Sequence, residues 1–304
     1  MNAFSVRMLA LAALFAVVGA ASAQDDEDKK AAIEQKKVAM GFLKKAGIDK
    51  IATAETENIQ LFTTYPEAKA KSLADSAQKV AMFARKTLKF EDATKLGKGK
   101  LTVYVFSDPR TLGAFYRTVE QKKIERDAWF AVNSRNDPTY AMIGIDRGEK
   151  ATDTEIINDV STIVAATVLN KKAGTGPTTG SLPDWLQIGF GRAMVLRGDS
   201  KLTAVSAYKA KVKTLVSGSK TKPSAVRANE LWEGEKSKDY DLIAASFVEY
   251  LVYGPEAEKF ASILSNFKPT ATGAQPTFAE VLTELEWKPE TIDPGWKKWV
   301  LTGK

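Results

Sequence analysis

The chain of 304 residues contains no histidine and no cysteine. The first absence removes Ser-His-Asp triads, imidazole general bases and every zinc site built on histidine. The second removes Cys-His pairs and disulfides, so burial alone must hold the fold together. Long apolar runs are missing as well: no segment after residue 23 approaches the ~20 residues that a bilayer span needs. The formal net charge is +7, but the lysines are spread along helical stretches as solvated faces rather than gathered in a stripe with stacking aromatics. Nucleic acid is therefore not an expected partner. Loose attraction to an anionic cell-envelope polymer is all that the charge implies.

Residues 1–23 have the parts of a secretory signal peptide: Arg7, the apolar stretch Met8 to Ala20, and the small-residue cleavage site Ala21-Ser22-Ala23 before Gln24. The apolar stretch is too short for a membrane span, and the cleavage site lacks the cysteine that lipid attachment requires. The expectation is a mature chain exported to the periplasm or secreted, without a membrane anchor.

Residues 24–56 read as a charged leader, flexible through Lys30, and a lysine-rich helix to about Lys45. ENIQLFTTY (57–65) reads as a strand. After Pro66, Ala70, Leu73, Ala77, Val80, Ala84 and Leu88 recur at helical spacing. LTVYVF (101–106) is strand-like, and Asp108-Pro109 opens a helix to about Gln121. WFAVNS and TYAMIGI flank a turn at 135–138 and predict a hairpin. Thr152 to Glu155 is a capping box that opens the helix EIINDVSTIVAATVLN. Helices are expected over 182–197, 200–216, 239–252, 255–266, 276–287 and 293–301. The order is a mixed front half (57–172) and a helical back half (182–304), which is an α+β fold.

Several short patterns have bland explanations. GTGPTTG (174–180) lacks GxGxxG spacing and GK[ST], and reads as a connection rather than a nucleotide loop. SxxK occurs at Ser76, Ser206 and Ser219 without SDN or KTG, as a lysine-rich chain produces by chance. The acidic leader lacks calcium-loop spacing. The tryptophans fit a core role, with Trp287, Trp296 and Trp299 locking the last helix; a carbohydrate-stacking platform is the alternative. No cofactor motif and no metal-ligand set is legible.

One stretch is more specific. The capped helix 153–170, a loop and then LPDWLQIGFGRA (182–193) resemble the active-site half of gluzincin-type metallopeptidases, especially the peptidase-MA-like domains of exported bacterial proteins of unknown function. KLTVYVFSD, RTLGAFYRTV and AASFVEYLVYG occur in that family's order, so the likeness spans most of 57–301. The resemblance implies a zincin-like fold: a small mixed sheet and an active-site-type helix, then mainly helices. In the family the first helix carries HExxH, whose histidines bind zinc and whose glutamate activates water. The second carries LPxWLxEGxAE, whose first glutamate completes the site.

Every catalytic position departs from that pattern. The preferred register lays Asn158-Asp159-Val160-Ser161-Thr162 on HExxH, with Asn158 and Thr162 at the histidines and Asp159 at the base. Registers from Ser161 to Ala165 and from Thr162 to Ala166 also fit the flanks. Ile188 stands at the third ligand and Arg192 at the second glutamate. Trp185 and Gly189 retain the motif.

The resemblance thus implies a catalytically dead peptidase-like domain without catalytic, metal or cofactor residues. Its groove, around Asn158, Asp159, Thr162, Trp185, Ile188, Gly189 and Arg192, would hold an extended peptide or envelope polymer. One alternative is a metal-free hydrolase using Asp159 and Glu155 as acid and base on peptide or glycan. Another is a purely structural envelope protein. An open cleft around Asn158 and Ile188 favours binding; a closed one favours the structural reading.

Overall fold

The computed structural model describes residues 27–91, 99–119, 121, 130–132, 140–144, 152–174, 182–198, 203–218, 237–267 and 276–303. The signal peptide, the turn at 135–138 and loop residues 175–181 lie outside them.

A helix over 27–45 (α1) begins inside the charged leader, which corrects the expectation of a flexible segment through Lys30. Glu27 and Asp28 fall in its first turn, where carboxylates complement the positive end of the helix dipole. Five strands follow: β1 (Ala52–Glu55), β2 (Ile59–Thr63), β3 (Leu101–Phe106), β4 (Phe130–Val132) and β5 (Tyr140–Gly144). They form one sheet in the order β1-β2-β3-β5-β4. The three central strands are parallel, and β1 and β4 are antiparallel edges.

The helices are α2 (Glu67–Thr87), α3 (Pro109–Val119), α4 (Asp153–Ala173), α5 (Asp184–Gly198), α6 (Thr203–Ser217), α7 (Ser237–Tyr253), α8 (Phe260–Asn266), α9 (Phe278–Glu284) and α10 (Pro289–Thr302). The expected helix at 255–266 is instead a 3-10 turn, Ala257–Lys259, running into α8. The last helix starts at Pro289 rather than 293, because proline tolerates the first helical position. The fold is α+β, a mixed strand-and-helix half followed by helices.

Both faces of the sheet are covered, so β2 and β3 are buried at every residue. Phe62, Tyr104 and Phe106 pack against Ala39 and Leu43 of α1 and Leu112 and Phe115 of α3. Ile59, Leu61, Val103 and Val105 point the other way, toward α2 and α4. That second core continues through α5 into the helical half. There Trp185 meets Phe247 at 5.8 Å and the edge of Phe278 at 5.2 Å. Trp296 is buried, donates from Nε1 to Ser246 Oγ at 3.2 Å and stands edge-on to Phe247, which ties α10 to α7. Trp185, Trp287 and Trp296 are thus core residues, and Trp299 lies against Tyr250. Trp129 and Trp232 lie outside the described residues.

Helix α1 is pinned to the sheet edge by charge. Lys36 reaches Glu55 at 2.7 Å and Lys100 reaches it at 3.2 Å. The Lys36 hydrogen bond, helped by Lys100 and opposed by partial burial, holds the Glu55 carboxyl below its ordinary range. A depressed carboxylate stabilises the fold above its unfolded-state pKa, and that contribution is lost as pH falls through the folded value. Glu55→Gln is therefore expected to lower stability near neutral pH, with the gap to wild type closing at acid pH. Urea unfolding of both proteins across that range checks it.

Candidate functional site

Helix α4 is closed at both ends by local chemistry. Glu155 N donates to Thr152 Oγ1 at 3.2 Å while Glu155 Oε2 accepts from Thr152 N at 2.9 Å, completing the capping box. Gly174 ends the helix in the left-handed conformation, with φ of 68°. Between these caps α4 is buried almost all round, from Ile156 to Ala173. Polar side chains on such a helix need partners, since an unmade buried hydrogen bond costs roughly 1–3 kcal/mol.

Helix α5 supplies them. The two helices run antiparallel, and at one end Arg192 Nη2 donates to Asp159 Oδ1 at 2.8 Å. The Asp159 side chain is 3% exposed and that of Arg192 20%, and Asp241 of α7 lies 4.0 Å from the same guanidinium nitrogen. At the other end Asn170 Nδ2 donates to Gln187 Oε1 at 2.6 Å, and Asn170 Oδ1 accepts from Leu182 N at 3.1 Å. Gln187 Nε2 returns a bond to the Leu182 carbonyl. Between the two polar ends the helices touch. A Cβ on Gly191 would run into the Thr162 carbonyl, so only glycine allows this approach. Gly189 faces the opposite neighbour: a Cβ there would lie 2.7 Å from the Ala244 carbonyl of α7.

Of the positions singled out from the sequence, Asp159, Thr162 and Arg192 therefore lie in a packed α4–α5 seam, while Trp185 and Gly189 face α7. Thr162 is 0% exposed and spends its hydroxyl on the Asn158 carbonyl at 2.7 Å. Ile188 and Trp185 are each 1% exposed. Asn158 is half-buried at the seam's edge. The carboxylates of the hydrolase reading serve different partners, Glu155 its own helix cap and Asp159 the Arg192 guanidinium. The Asn170–Gln187–Leu182 network has no counterpart in the sequence reading. Its signal was a pair of amides inside otherwise apolar segments.

Near the Asp159 end, Lys69 binds Asp153 at 2.8 Å and sits 4.4 Å from the centre of the Tyr65 ring. Burial, then the charges of Asp108, Asp153 and Asp159, push the Tyr65 hydroxyl above its ordinary pKa. These charged groups cluster near the Asp159 end of the seam.

The donor set does not fit zinc. Thr162 donates its proton inside its own helix, Ile188 offers only hydrocarbon, and Arg192 places a cation on the Asp159 carboxylate. Among the described residues no group of three or more acidic side chains could hold a metal, and no helix is long and apolar enough to cross a membrane. No protein-family model matches the chain, and no curated protein matches it.

Two measurements probe the seam. Asp159→Leu and Arg192→Met should each destabilise the protein by about 3 kcal/mol, while the double change Asp159→Leu/Arg192→Met should recover most of it. Gly191→Ala should cost about 2–3 kcal/mol by forcing the helices apart. A double-mutant cycle in denaturant reads the first, and a single unfolding curve the second.

Proposed function

We propose that this chain is an exported, catalytically inactive peptidase-like protein that serves as a binding or scaffold component of the cell envelope. The observation that carries the reading is the seam itself. Residues in the positions of a gluzincin's ligands and base form a salt bridge, an intrahelical hydrogen bond and a hydrocarbon contact. None of these retains a free nucleophile, acid or ligand.

The closed seam moves the binding surface away from the lost site. What supports a peptide partner is strand β4. Among the described residues it pairs with β5 on one side only, at the sheet edge, and lies beside α4. An edge strand presents unpaired N–H and C=O groups to an extended chain, the mode called strand addition. Export and the envelope location follow from the signal-peptide pattern of residues 1–23.

The test uses the purified mature chain. Equilibrated with zinc and freed of excess metal, it should retain substoichiometric zinc and cleave nothing in a mixed peptide library. Extended peptides captured from that library should bind with about micromolar affinity. Methylating alternate main-chain amides of a captured peptide should weaken it about tenfold, because ladder donors are removed. Stoichiometric zinc together with hydrolysis would reject the reading, and so would a library from which nothing is captured.

A further inference from the structure

Gln60 Oε1 on β2 and Thr102 Oγ1 on β3 are buried without a hydrogen-bond partner among the described residues, but both are sealed from solvent and offer a ligand nothing. A second place has the opposite character. A cavity of about 590 Å³ lies where α2, α5, α6 and α7 meet, and its lining is of two kinds. Phe83, Leu196, Val205 and the Tyr208 ring supply hydrocarbon. Lys86, Arg197 and Lys209 supply three cations against the single carboxylate of Glu249.

The arginine is held in place. Arg197 Nε donates to Glu249 Oε1 at 2.7 Å, and its guanidinium carbon lies 3.8 Å from the centre of the Tyr253 ring. Tyr253 is itself fixed by a 3.0 Å hydrogen bond between its hydroxyl and that of Thr87. The Arg197 side chain stays 37% exposed, and neither Nη1 nor Nη2 has a partner among the described residues. Such a fork is preorganised, so a ligand that takes it does not have to order it first. Lys86 and Arg197 stand in the last turns of α2 and α5, where helix dipoles favour a cation. That accounts for their charge, but not for a guanidinium clamped by a carboxylate and a ring.

The walls select the ligand. The surplus of cations over carboxylates draws an anion, and the two free nitrogens of a planar fork match the two oxygens of a carboxylate. A single negative charge suits a guanidinium already shared with Glu249. The hydrocarbon wall calls for an apolar body behind that head, because contact removes apolar surface of both from water. We propose that this cavity binds a monocarboxylate with an apolar body, its head on the Arg197 fork and its body against Phe83, Leu196 and Val205. The site uses none of the polar residues of the α4–α5 seam and does not rest on the peptidase-like reading.

The probe is octanoate, with octanamide as its neutral counterpart and acetate as a head without a body. Titrated into the purified chain, octanoate should shift the backbone amide signals of Thr87, Leu196 and Tyr253 saturably in a nitrogen–proton spectrum, with a Kd of about 0.1–1 mM. Octanamide and acetate should each bind about tenfold more weakly, the first for want of charge and the second for want of apolar contact. Arg197→Lys keeps the charge but loses the fork, and should weaken octanoate about tenfold. Lys209→Glu, an exposed change that serves if Arg197→Lys does not fold, should weaken it about fivefold. Lys213→Glu, on the same helix but outside the lining, should leave the Kd unchanged. The proposal is overturned by absence of a saturable shift, by octanamide or acetate binding as tightly as octanoate, or by octyl phosphate binding where octanoate does not. Undiminished binding in a folded Arg197→Lys or in Lys209→Glu, or an equal loss in Lys213→Glu, overturns it as well.

Discussion

The helical half of this protein depends on how closely α4 and α5 cross. Helix α4 connects the sheet to everything that follows, because one side packs on β5, β4 and α2 and the other on α5. Its burial is nearly complete, which leaves its polar residues no solvent to fall back on. Glycine at 191 lets the backbones touch, and that contact sets the spacing at which Asp159 meets Arg192 and Asn170 meets Gln187. Helix α5 then presents Gly189 to α7, which brings Phe247 and Trp296 into one aromatic cluster with Trp185. Moving the first crossing displaces the rest of the chain of contacts.

Much of this was legible in the sequence wherever the cause is local. The capping box at Thr152, the helical spacing from Ala70 to Leu88 and the strand LTVYVF all sit where their residue types demand, since each is decided within one or two turns of chain. Strand β1 was missed for the converse reason. ATAE has weak intrinsic strand preference and is extended only because β2 supplies its ladder. Helix α1 reaching into the acidic leader is a milder case, in which tertiary pinning by Lys36 and Gln35 extends what composition marked as flexible.

The candidate site divides along the same line. LPDWLQIGFGRA pointed to α4 and α5, which pack against each other, and Asp159 and Arg192 were both singled out, but each for what it replaced. Their mutual salt bridge spans 33 positions of chain, beyond the reach of any periodicity argument. The Gln60 and Thr102 oxygens were invisible for a further reason: within buried strands they read as ordinary half-polar positions until the register places them together.

The two faces of the sheet therefore carry opposite kinds of polar burial. On the α4 side the charged and amide groups at the seam are matched to one another, and a glycine contact fills the space between the paired ends. A metal ion needs room for side chains to converge on it, and helices touching through Thr162 and Gly191 leave none. A saturated, closed contact of this kind resists change and adds rigidity. On the α1 side, the oxygens of Gln60 and Thr102, partners in the parallel register of β2 and β3, are buried without a hydrogen-bond partner. The α4–α5 contact that the sequence marked as a candidate site is one that holds the molecule together.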